Sequence, residues 1–176
     1  MNDQVKNTAI QQLNVTYVPT EDRLLLKIGM ANQSELSVWL TYRVTKKMSQ
    51  VLEQTPVSIS TDERVNTPYN QQLEQQFVKQ EKSQKLNFSD DYQKRESLNQ
   101  GELFLVVDCR IVEGSNGRLV LDLICSNKKV VNVGLNDELL LGLANMLQKA
   151  CLSADWHRVI TEKTLLAMNS KLNLLH

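Results

Sequence analysis

The chain has 176 residues, 41% hydrophobic and 23% charged, a make-up that fits a globular protein of ordinary size and excludes a disordered or fibrous one. Twenty Lys and Arg balance twenty Asp and Glu, so no overall field draws it to nucleic acid or an anionic membrane. The densest apolar run, Leu139 to Ala144, is too short to span a bilayer, and the first dozen residues do not read as a secretory signal.

Alternating apolar residues Leu13, Val15 and Tyr17 predict a first strand, closed by the turn residues PTED. In the next strand Leu24, Leu26, Ile28 and Met30 form the inward set, and Arg23, Leu25, Lys27 and Gly29 the outward one. Asn32 falls in a polar turn before a third strand carrying Leu36, Val38 and Leu40. Thr41 can cap a helix whose stripe is Val44, Met48, Val51 and Leu52, which completes a βββα unit over 10–54.

A polar connector over 55–100 follows, rich in Gln, Asn, Ser and Lys and broken by Pro56 and Pro68. A helix is expected over 70–86, with only Leu73, Phe77 and Val78 as an apolar stripe, lying lightly on the surface or partly disordered.

A second βββα unit is expected over 101–153. Its inward sets are Val107, Cys109 and Ile111; then Leu119, Leu121, Leu123 and Cys125; then Val131, Val133 and Leu135. Asn136 or Asp137 can cap a helix that is apolar nearly all round, which predicts a central helix between its own sheet and another helix. A helical arm is expected over 154–176. Its seam of Leu165, Met168, Leu172 and Leu175 would dock on the chain's own body, on a second subunit or on a partner.

The two units match. Adding 95 carries Arg23 onto Arg118, Leu24 onto Leu119, Leu26 onto Leu121, Asn32 onto Asn127, Val38 onto Val133 and Met48 onto Leu143. The first strands match at an offset of 94, which makes the turn EGSNG one residue longer than PTED. Units of this size are marginal alone. The expected fold class is therefore α+β: a duplicated βββα unit with pseudo-twofold packing and antiparallel sheets, plus connector and C-terminal helices in a single domain.

Chemistry-bearing patterns are few. His157 and His176 are the only histidines, and no HExxH, CxxC, GxGxxG, GxxxxGK[ST] or GxSxG appears, so neither metal, cofactor nor enzymatic activity is expected. The acidic pairs Glu21–Asp22, Asp90–Asp91 and Asp137–Glu138 fall where turns and helix starts favour them. Cys109, Cys125 and Cys151 lie in apolar periodic segments and read as buried thiols in a reducing cytoplasm.

One surface pattern points to binding. Arg23, Lys27 and Trp39 face outward from the first sheet, and Arg43 and Lys46 follow on the helix. Basic and aromatic side chains of this kind can build a stacking platform for single-stranded nucleic acid. The plainer alternative packs Trp39 under the connector helix, against Leu73 or Phe77. The second unit has Gly134 and Asp122 in place of Trp39 and Lys27, so the platform would belong to the first unit alone.

The strings EDRLLLKI and VWLTYRV resemble an uncharacterised proteobacterial family in which a DRLLLRI-like segment is followed by WLTRR. The resemblance covers mainly residues 10–55, with weaker agreement from Leu135 to Trp156, and implies no activity or site. Tyr42 stands where that family has Arg. The duplicated sheet-then-helix order is also similar, in topology only, to the Pur-alpha repeats and PC4-like single-stranded-DNA binders, which have four strands per unit rather than three. Together these readings lead to an expected non-enzymatic binding or adaptor protein, contacting another protein or a second copy of itself, with single-stranded nucleic-acid binding as the alternative.

Overall fold

A computed structural model describes residues 10–57, 68–85, 92–114 and 117–156. The elements run β1 (Ile10–Val18), β2 (Arg23–Met30), β3 (Ser34–Leu40), α1 (Tyr42–Gln54), α2 (Pro68–Lys85), β4 (Glu96–Ser97), β5 (Leu105–Glu113), β6 (Leu119–Cys125), β7 (Val130–Leu135) and α3 (Asp137–Ser153). The fold is mixed α+β, with seven strands in one sheet. The strand order is β1-β2-β3-β5-β6-β7, and the short β4 pairs with β3.

Local chemistry sets these boundaries. The Thr41 and Asn136 side chains accept hydrogen bonds from the amides of Val44 (3.4 Å) and Leu139 (2.8 Å), each satisfying one donor that a helix start leaves open. In the turns before β3 and β7, Asn32 and Asn127 accept from the amides of Ser34 and Lys129, both at 3.1 Å. Gln33 and Lys128, which follow these asparagines, take matching left-handed conformations with φ of 63° and 67°.

The antiparallel pairing inside each unit follows the alternation, but its register corrects the sequence reading at β5. Leu13 opposes Ile28 and Cys109 opposes Leu123, so the first strands match at an offset of 96, not 94. The cause is a β-bulge at Val107, between the pairs Val106↔Cys125 and Asp108↔Ile124. Val107 therefore leaves the inward set and is 44% exposed, while Val106 takes its place in the core. The β1–β2 ladder breaks at Gln11, the same point 96 residues earlier. The turn joining β5 to β6 is consequently one residue shorter than PTED, with three residues between Gly114 and Arg118 against four between Val18 and Arg23.

The two units also join differently from the expectation of separate antiparallel sheets. They share one continuous sheet, and its junction is parallel, through Trp39↔Leu105 and Leu40↔Val106. The α3 helix is central, as its sequence implies, but its main strand partner is not its own sheet. It packs chiefly on β1, the first strand of the other unit, and α1 packs on β5 in return. The two helices also touch each other, and α2 lies on α3. This explains the wide apolar surface of α3, which buries Leu140, Leu141, Leu143, Leu147, Ala150 and Cys151 against neighbours on several sides.

A single core results. Leu24, Leu26, Val38 and Leu40 meet Leu121, Leu123, Val133 and Leu135 through Met48, Leu143 and Leu147, all less than 5% exposed. Burial of each such side chain contributes about 1.5–3 kcal/mol. Because α1 and α3 each serve the other unit's strand, neither unit retains a complete core without the other.

Candidate functional site

The helices cover one face of the sheet, called inner below; the opposite, outer face is where the sequence places recognition residues. On the first unit this face is roofed by the chain just before β5. The Leu98 amide donates to Glu35 O (2.8 Å), and the Asn99 carboxamide bridges Ser37, accepting from its amide (3.2 Å) and donating to its carbonyl (2.8 Å). The Trp39 amide then donates to Phe104 O at 2.8 Å. With β4 these contacts occupy the free edge of β3 along its length.

Beneath this strap sits a buried polar cluster. Glu35 is only 4% exposed, and its carboxylate accepts from the Tyr92 hydroxyl at 2.6 Å and the Ser37 hydroxyl at 3.2 Å. Lys27 pairs with it at 3.4 Å and lies 5.7 Å from the centre of the Tyr92 ring. Burial and the Glu35 carboxylate push the Tyr92 phenol well above its ordinary range, so it remains a hydrogen-bond donor. Arg95 donates to Met30 O and lies so close over Gly29 that an added Cβ there would sit 3.0 Å from its Nε. Gly29 is thus explained by close approach of the strap.

The predicted platform residues are not assembled into one surface. Lys27 is engaged under the strap, while Trp39 is half-buried on the same face between Leu25 and Leu105. Trp39 does not lie under α2, which packs against α3 on the helix side. Arg43 and Lys46 are exposed on α1, the element that covers the inner face, and Arg23 is half-buried at the start of β2. The four arm residues Leu165, Met168, Leu172 and Leu175, with both histidines and Asp90–Asp91, lie outside the described residues.

The outer face of the second unit is different. Asp122, 6% exposed, occupies its middle, ion-paired with Arg110 Nε at 3.0 Å and accepting a hydrogen bond from Asn132 Nδ2 at 2.6 Å. Around this polar knot stand Val107, Val112, Val120, Ile124 and Val130, with Val107 and Val130 44% and 47% exposed. At Gly134 an added Cβ would meet nothing within 4 Å. Sequence reasoning singled out Gly134 and Asp122 on this unit but set Val107 on the inner face, because a bulge has no signature in period-two alternation.

The chemistry available at either face is limited. Cys109, Cys125 and Cys151 are free and buried. Burial raises all three thiols, Cys109 and Cys151 to about 11, which leaves them protonated and unreactive at neutral pH. Among the described residues no group of three or more His, Cys, Asp or Glu is placed to hold a metal ion, and no helix is long and apolar enough to cross a membrane. Comparison with protein-family models, with curated proteins and with solved structures finds no match to the chain.

Proposed function

We propose that this chain is a non-enzymatic binding protein that acts through protein–protein contacts made by the outer face of its second unit. The carrying observation is the contrast between faces: five apolar side chains around a neutralised polar knot on the second unit, against a strapped, polar face on the first. Surfaces of this kind, largely apolar and low in net charge, suit protein partners.

Within this proposal the chain is a fused pair of βββα units related by a pseudo-twofold axis running roughly along the strands. Matching bulges at Gln11 and Val107, matching turns at Gln33 and Lys128, matching caps at Thr41 and Asn136, and the exchanged helices support it. Three unpaired thiols support a cytoplasmic setting.

Affinity capture from native lysate tests the reading, comparing wild type with Val107→Lys/Val130→Lys; both positions are exposed, so the variant folds. The proposal predicts a captured protein that the variant loses. Equal capture by both forms would refute it. Single-stranded nucleic-acid binding, the alternative suggested by the likeness to Pur-alpha and PC4-like proteins and by Trp39 on an outer sheet face, predicts salt-sensitive quenching of Trp fluorescence by oligonucleotides. Its support is thinner, since Lys27 is already paired with Glu35.

A further inference from the structure

Resting on that reading, we infer that the edge of β7 is a strand-pairing surface for the β7 of a second copy, giving a twofold dimer with one sheet running through both subunits. Among the described residues β7 ends the sheet and pairs with β6 alone. Its counterpart β3 has the same edge fully occupied by β4, Asn99 and β5.

An exposed edge is a template for another strand unless something blunts it. The opposite edge strand, β1, is blunted: it carries the bulge at Gln11, the polar series Gln11, Gln12, Asn14 and Thr16, and side-chain ties from Gln11 and Gln12 to the strap. None of these devices is present on β7. Its six residues hold no proline and no bulge, and its outward positions Val130, Asn132 and Gly134 carry no charge.

Charge selects the occupant. The strand begins after Lys128 and Lys129 and ends before Asp137 and Glu138. Lys129 and Asp137 already pair with Glu102 and Lys82 within the chain, so the complementarity rests on Lys128 and Glu138. An antiparallel pair centred near Val133 brings Lys128 of each copy to Glu138 of the other, and Asn132 opposite the open space at Gly134. Such an interface is self-complementary, as twofold symmetry requires. A parallel copy would instead set like charges side by side.

Sedimentation velocity of the full chain at about 100 μM and below, at low salt, tests this. Wild type is expected to dimerise, Lys128→Glu to weaken the dimer about tenfold, and Lys128→Glu/Glu138→Lys to restore it. Both positions are exposed, so folding is unaffected. A monomer at all concentrations overturns the inference, as does a dimer indifferent to the reversal or not rescued by the swap. So does a monomer whose β7 amides lose exchange protection when residues 1–9 are deleted, which would place the chain's own start on that edge. Each failure leaves the protein-binding reading to be judged separately by the Val107→Lys/Val130→Lys capture.

Discussion

Leu26 and Leu121 lie 95 residues apart, both fully buried at the same place on the inner face of the sheet, whereas Lys27 and Asp122, their immediate neighbours, live in different worlds. Lys27 lies under a strap, paired with a carboxylate and close to an aromatic ring. Asp122 is tied down by two neighbours in a field of valines. A shared core needs the same inward residues in both units, because packing density tolerates little change. The outer faces bear no such constraint. One seats the chain's own connector, and the other is lined by apolar side chains around Asp122.

The largest effect tests the sameness of the inner faces. Leu26→Ala and Leu121→Ala should each cost about 2–5 kcal/mol, and by similar amounts, in chemical denaturation. Each should lower stability in one cooperative transition, since the exchanged helices bind the units into one core. A pair of separate transitions would break that account.

Next comes alkaline stability, which reports on the second unit, where all three cysteines lie. A thiol raised from 9.0 to about 11 in the folded state holds its proton while the unfolded chain loses it. Its stabilising effect is therefore complete below pH 9 and disappears as pH climbs towards 11. Cys109→Ala/Cys151→Ala should show a shallower decline over that window in a pH series of melting curves.

Tyr92→Phe removes the donor at 2.6 Å from buried Glu35, and should cost about 1–3 kcal/mol while leaving any contact made by the second unit intact. The smallest difference lies between two glycines. Gly29→Ala pushes against Arg95 and should lower stability by about 1 kcal/mol, whereas Gly134→Ala enters open space and should stay within about 0.5 kcal/mol of wild type. Equal effects would mean that the two faces are not as unlike as they look.

Much of this was legible in the sequence where one residue acts on its near neighbours. Thr41 and Asn136 cap the helices, Asn32 and Asn127 shape the turns, and Leu24, Leu26, Leu121 and Leu123 declare the inner face by alternation. What escaped depends on contacts between distant segments. The strap is held by Asn99 on Ser37 and by Arg95 over Gly29, 62 and 66 residues apart, and polar ties of that kind leave no periodicity. The helix exchange was hidden for a related reason: an apolar stripe says that α3 is buried, not which strand buries it. For the candidate surface, alternation puts Lys27 and Trp39 opposite the inward leucines, but the cover over Lys27 comes from a segment with no strong pattern of its own.

The most direct measurement is hydroxyl-radical footprinting of the protein, dilute and purified, against the same protein assembled in native lysate. Val107 and Val130 report on the open face, and Leu98 and Leu103, each 54% exposed, on the strap side. The account predicts that assembly with another protein shields Val107 and Val130 together and leaves Leu98 and Leu103 labelled as before. A second copy paired on the β7 edge alone covers Val130 but not Val107, two strands away. Shielding of Leu98 and Leu103 with the two valines unchanged would contradict it.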